Sequence, residues 1–274
     1  MHYVNILING IGDAVLAPFQ WENPWPGLIA ASCLATVPLM LVFKYCSNER
    51  AIRLKKGRLI AHVLELLIYQ HDMLVSLGAC WRIFVSNLSY MKEFLLPLTL
   101  AMIPCTLILI QLSCWFAARP LYVGETALLE VRLRSDQNVM QQDLAIASSS
   151  GIAVDTEALR IPAQNEADWR LRATQEGAGW VDVSFGGITT RKDVVSGKRL
   201  LKVSDRRTRP NLQEELLHPA EAPFAADSLI ERIDIQYPAR QLLIGQTEVD
   251  WLVAFFVISV VAGLVLKGPM KVTL

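Results

Sequence analysis

The sequence has no excess of charge of either sign, since 26 Lys and Arg balance 26 Asp and Glu. Without a basic excess there is no electrostatic footprint for nucleic acid, and DNA is not an expected partner. Histidine is scarce: His2, His62, His71 and His218 are scattered, and no pair has the spacing of a metal site. There is no Cys-x-x-Cys and no Gly-x-Ser-x-Gly. There is also no phosphate-cradling glycine loop, because the run Gly10-Ile11-Gly12 is too short a match. Together these absences predict a protein that is not an enzyme, with no cofactor and no metal. The five cysteines, Cys33, Cys46, Cys80, Cys105 and Cys114, all precede residue 119, so no disulfide framework is expected beyond it.

Charge is also missing locally. Residues 23–43, 94–118 and 251–266 form runs of 21, 25 and 16 positions without a single charged side chain. The mean hydropathy of +0.34 is high for a soluble domain. A hydrocarbon core about 30 Å thick needs roughly 20 helical residues, so three spans are predicted, at 23–45, 94–118 and 249–267. No Lys or Arg precedes the first run, so it reads as a retained anchor and not a cleaved signal.

Basic residues in short loops set orientation. Lys44, Arg50, Arg53, Lys55, Lys56, Arg58, Arg82 and Lys92 lie between the first two spans, and Lys267 and Lys271 lie at the end of the third. The N-terminal segment has only Asp13 and Glu22. The N-terminus is therefore expected outside, with residues 46–93 and the tail 268–274 in the cytosol.

Residues 1–22 carry Val4, Leu7, Ile8, Ile11, Val15 and Phe19 at helical spacing, which predicts an amphipathic interfacial helix. In 46–93, Ile52, Leu59, Val63 and Leu66 repeat on one arm, and Leu74, Leu77, Trp81, Phe84 and Leu88 on a second, beyond the polar break Gln70-His71-Asp72. This predicts a coiled-coil hairpin packed along both stripes. Beyond the second span, short alternating runs such as Leu128, Val131 and Leu133, separated by Gly- and Ser-rich turns, predict an immunoglobulin-like β-sandwich over 119–203. Residues 204–248, with Arg206, Arg207, Arg209 and Pro210, read as an irregular connector, followed by a return strand around Ile230, Ile233 and Ile235. The fold class is an α+β membrane protein.

The first span ends in Phe43-Lys44-Tyr45-Cys46-Ser47-Asn48-Glu49, and the second opens on Tyr90-Met91-Lys92, with Pro97 and Pro104 following. This pattern resembles the YidC/Oxa-type superfamily of membrane protein insertases, most closely the minimal archaeal YidC-like proteins and the third subunit of the ER membrane protein complex. The resemblance covers about 1–115 and 249–274 and excludes the outer β-domain. It implies a three-helix core around a polar groove in which a hydrophilic stretch of a client shelters during insertion. The groove lining it implies is Ser32 and Thr36 on the first span, Thr99, Thr106, Gln111 and Ser113 on the second, and Ser259 on the third. Bacterial relatives place an arginine there, whereas these spans contain none. The β-domain is a second departure, inserted where minimal relatives have a short loop.

The expected function is insertase-like assistance to the insertion or assembly of other membrane proteins in a bacterial inner membrane, with a periplasmic β-domain that recruits partners. Arg50, Arg53, Lys55, Lys56 and Arg58 form a basic face for the ribosome, an acidic client or anionic lipid. The alternative is a scaffold subunit of an envelope complex that displays its sandwich on an insertase-derived anchor. Alternatively again for the groove residues, Ser and Thr in spans commonly bond to their own helix or a neighbouring one.

Overall fold

The computed structural model describes residues 2–46, 49–68, 73–134, 136–140, 143–225 and 228–270. Ser47 and Asn48 of the first motif, the break Gln70-His71-Asp72 and tail residues 271–274 lie outside them. The chain is α+β and divides into two compact units: the N-terminal residues through Ala31 with Ile108–Phe256, and Ser32–Leu107 with the residues from Val257 on.

Among the described residues three helices are long and apolar enough to cross a membrane: α2 (Trp25–Cys46), α4 (Met73–Phe116) and α6 (Trp251–Met270). Two of them start on an Asx cap. The Asn23 side chain accepts from Trp25 N–H at 3.1 Å, and that of Asp250 from Leu252 N–H at 2.7 Å. The third helix continues through Met270, past the expected end at 267.

The expected break between hairpin and second span at 93/94 is absent. α4 runs without interruption for 44 residues, through both Pro97 and Pro104. Each proline removes one backbone bond, but an irregular stretch in hydrocarbon would expose many more unpaired groups, so the helix is retained. At 1.5 Å per residue α4 is about 66 Å long, more than twice a hydrocarbon core. Its N-terminal half forms a hairpin with α3 (Glu49–Ile68). Lys55 meets Glu93 at 2.6 Å and Arg82 meets Glu65 at 2.7 Å, an antiparallel register set by charge.

In the other unit, α1 (His2–Leu16) and a 3₁₀ turn (Ala17–Phe19) precede α2. The β-domain is built from antiparallel pairs. β1 (Thr126–Leu133) lies between β5 (Glu166–Ala173) and β9 (Ile230–Ile235), with β3 (Ile152–Val154) and β4 (Leu159–Ile161) on β5 and β8 (Arg206–Thr208) on β9. A second sheet has the order β2 (Leu144–Ser148), β6 (Gly177–Phe185), β7 (Ile188–Ser196). Side chains from both sheets form one core, including Leu129, Val131, Trp169, Val183, Phe185 and Ile233. Alternation in β1 turns Ala127, Leu129, Val131 and Leu133 inward, while Leu128 faces the other way. Gly186 and Gly187, both at positive φ, make the two-residue turn between β6 and β7 that L side chains strain to form.

Residues 204–248 are more ordered than an irregular connector. β8 and β9 belong to the same sheet as β1, α5 (Leu212–Leu217) lies between them, and β10 (Leu242–Ile244) with β11 (Thr247–Val249) adds a hairpin before α6. The arginines that made this stretch read as a linker are used in it: Arg206 pairs with Asp234 at 2.7 Å.

Candidate functional site

Of the seven predicted groove residues, Ser32, Thr36 and Ser259 come together where α2 meets α6. All three are withdrawn from solvent or nearly so. Thr36 Oγ1 donates to Ser32 O at 2.8 Å and lies 3.4 Å from Ser259 O. Ser259 Oγ is buried with no hydrogen-bond partner among the described residues. Gly263 faces Thr36, and a Cβ there would lie in ordinary contact, 3.7 Å from Thr36 Cγ2. This is a small-residue helix contact of the kind that lets backbones approach in a membrane.

The other four are not part of that contact. Thr99 and Thr106 are exposed on α4 and turn their hydroxyls onto their own helix, to Leu95 O and Leu96 O at 3.0 and 2.9 Å and to Met102 O at 2.8 Å. Ser113 does the same with Ile110 O at 2.7 Å. Gln111 is buried in the other unit, its Oε1 against Gly12 of α1.

On the hairpin, Arg53, Lys56 and Arg58 are exposed, whereas Lys55 is held by Glu93 and by Ser89 O at 3.0 Å. Arg50 is in the first turn of α3, its side chain outside the described residues. The apolar stripe of the second arm does not face the first. Leu77, Trp81, Phe84 and Leu88 are 72%, 67%, 59% and 51% exposed, and Trp81 stacks on Phe84 with ring centroids 5.8 Å apart. Their positions follow helical spacing and form one outward stripe. Ion pairs join the arms and Ile52 of the first stripe is buried, but the second stripe faces outward, which corrects the expectation of a hairpin packed along both stripes.

Two polar side chains of α1, Asn9 and Asp13, meet the β-domain. Lys202 Nζ reaches Asn9 Oδ1 and Asp13 Oδ1, both at 3.1 Å, and Asn9 Nδ2 donates to Pro219 O at 2.7 Å. The β-domain is also tied by backbone to helix ends, with Leu200 N–H on Trp21 O at 2.9 Å and Val203 N–H on Cys114 O at 2.8 Å. Beside these ties a cleft of about 680 Å³ opens between Ala17, Trp115, Ser196 and the basic turn Lys198-Arg199.

One constellation in the β-domain is not signalled by any motif. Lys192 on β7 is fully buried, and its Nζ donates to Ser204 O at 2.7 Å, to Ser204 Oγ at 2.8 Å and to Glu221 Oε2. Glu221 Oε1 accepts from Asp193 N–H at 2.9 Å. Burial pushes the Lys192 pKa down, and the touching carboxylate works against it. A serine next to a lysine is a familiar nucleophilic pair, but here the ammonium is bound by a carboxylate and Ser204 Oγ lies 2.5 Å from Glu221 Oε2, so neither is poised to attack. The group acts as a staple between β7 and the segment 204–221. Alternation signals it: Thr190, Lys192, Val194 and Ser196 share the inward side of β7, and a lysine at such a position requires a partner. Among the described residues no group of His, Cys, Asp and Glu has the arrangement to hold a metal ion.

Compared with known proteins, the chain matches no family model, no curated protein and no solved structure.

Proposed function

We propose that this protein is an insertase-like integral membrane protein that assists the insertion or assembly of other membrane proteins. The observation that carries the reading is the outward stripe Leu77, Trp81, Phe84 and Leu88 on the hairpin. A contiguous row of large apolar side chains turned outward marks a surface that receives another apolar segment. In the proposed topology the hairpin is cytosolic, at the site where a client leaves the ribosome. The N-terminus and the β-domain, an Ig-like sandwich, lie in the periplasm of a bacterial inner membrane. The bonds from Asn9 and Asp13 to the β-domain support placing those two parts on one side. The YidC/Oxa resemblance supports the same arrangement. No covalent chemistry and no cofactor is required.

A second reading, a scaffold subunit displaying its sandwich on an insertase-derived anchor, is favoured by the polar residues of the spans. Thr99, Thr106 and Ser113 bond to their own helix, and Thr36 and Ser259 are packed between helices.

Photo-crosslinking in the native cell separates the two. Probes at Trp81, Phe84, Thr36, Thr99, Thr106 and Ser259, and across the β-domain, are read during membrane protein synthesis. Many nascent chains captured from Trp81 and Phe84 support the insertase reading. Silence there, with one abundant product from the β-domain, leaves the scaffold.

A further inference from the structure

The two edges of the three-stranded sheet are treated in opposite ways. On β7, several of the backbone groups that point away from β6 are taken up by side chains and by one neighbouring segment. Arg191 O accepts from the Arg207 guanidinium, Asp193 N–H donates to Glu221 Oε1 at 2.9 Å, and Val195 N–H donates to Tyr237 Oη at 3.1 Å. Leu121 bonds to Val195 O at 3.2 Å and accepts from Gly197 N–H at 2.8 Å. An edge closed in this way cannot accept a further strand.

Among the described residues the β2 edge has no such covering. Ser149 N–H donates to Trp180 O at 3.0 Å, and 149 and 180 are opposite each other in the register that pairs Ile146 with Val183. Bonded pairs alternate with non-bonded ones in an antiparallel ladder, so 145 and 147 bond toward β6 while Leu144, Ile146 and Ser148 present N–H and C=O outward. No hydrogen bond from the described residues reaches those outward groups. The strand Leu144-Ala145-Ile146-Ala147-Ser148 has no charge and no proline, the usual devices that blunt an edge.

We propose that β2 is a self-pairing edge that joins a second copy of this chain through an antiparallel β2–β2 contact centred on Ile146. Two observations favour a second copy over another polypeptide. The strand is self-complementary in sequence: centring on Ile146 sets Leu144 opposite Ser148, Ala145 opposite Ala147 and the flanking carboxylate Asp143 opposite the hydroxyl of Ser149, with no like charges opposed. The assembly also closes. The joined sheet runs β7-β6-β2-β2-β6-β7, and both outer edges are the capped β7, so pairing stops at two copies. Parity sets the register, because outward residues must face outward residues. Centring on Ile146 aligns all three of them in each strand, and a slip of two residues in either direction loses one aligned pair.

The test uses the full-length protein in native membranes, as two differently tagged copies carrying Ala145→Cys and Ala147→Cys. Both positions are exposed, and in the proposed register they form a non-bonded pair with Cα atoms about 4.5 Å apart, within disulfide reach. Mild oxidation is expected to link the Ala145→Cys copy to the Ala147→Cys copy at least fivefold more than either to its own kind, over the background of the native cysteines. Equal linkage, no linkage, or a disulfide to a different protein overturns the proposal, the last assigning the edge to that protein. As a second measurement, Ala145→Lys/Ala147→Lys sets lysines opposite lysines across the axis. It is expected to give single-copy mass in detergent, with two copies restored on co-expression with Ala145→Glu/Ala147→Glu. Two-copy mass that persists in the lysine variant equally overturns it.

Discussion

The Lys192 ammonium and the Glu221 carboxylate pair with each other inside the β-domain, the lysine fully buried and the glutamate 8% exposed. A buried pair of this kind adds little over an apolar replacement, yet breaking it leaves a charge with no water and no partner. Lys192→Met and Glu221→Gln are each expected to destabilise the domain by about 3–5 kcal/mol. The double variant Lys192→Met/Glu221→Leu should recover most of that loss. Chemical denaturation followed by Trp fluorescence measures it, and a double variant as unstable as the singles would refute the pairing account.

Asp168 gives a pH dependence of known sign. Burial, then the neighbouring Glu166 and Glu130 carboxylates, raise its pKa from 3.8 to about 6. The folded state holds this proton more tightly than the unfolded chain does. The associated stability is complete below about pH 4 and is lost as pH rises to about 6. Asp168→Asn should remove that slope and stabilise the domain at pH 7 by about 1–2 kcal/mol. Thermal melts at pH 4, 5, 6 and 7 are the check, and an Asn variant less stable at pH 7 contradicts it.

Asn165 organises a turn by itself. At φ 54° it accepts from Val139 N–H at 3.0 Å and donates to Arg134 O and Gln137 O at 2.7 and 2.9 Å. Asn165→Ala loses these side-chain bonds and keeps the backbone strain, at an expected cost of about 2–4 kcal/mol. Asn165→Gly loses the same bonds without the strain, so its loss should be measurably smaller.

For the hairpin, Trp81→Ser/Phe84→Ser removes exposed surface and should leave the melting temperature unchanged within about 2 °C, while abolishing client crosslinks on the insertase reading. Undiminished crosslinking would separate the stripe from client contact.

Ser259→Ala distinguishes packing from groove use. Its hydroxyl is buried without a partner among the described residues, so on packing grounds the substitution is neutral or stabilising by up to about 1 kcal/mol. A fall in client insertion with unchanged stability would instead assign Ser259 to the client's path.

Much of this architecture was legible in the order of residues. Charge-free runs predict α2, α4 and α6 because hydrocarbon excludes unpaired charge, and alternation predicts β1 because one side faces a core. What was not legible depended on pairing between distant segments. The end of the charged stretch at 93/94 read as the boundary between hairpin and span, yet one helix passes through it. Helical spacing located Trp81 and Phe84 on one stripe but carried no information on which way it faces, a choice made by the Lys55–Glu93 and Arg82–Glu65 pairs. The arginines after residue 204 suggested a solvated linker because their carboxylate partners, such as Asp234, come much later. The groove residues came only from the resemblance; the meeting of Ser32 and Thr36 on α2 with Ser259 on α6 is a tertiary event.

The bonds that hold α1 also impose a schedule on biosynthesis. Asp13 waits for Lys202, 189 residues later, and Asn9 waits for Pro219, 210 residues later. At about 5–20 residues per second, the first helix spends roughly 10–40 s with its polar side unanswered while everything between is still being made. A nascent chain halted before residue 202 therefore carries a loose leading helix, and the chain's first element is among the last to settle.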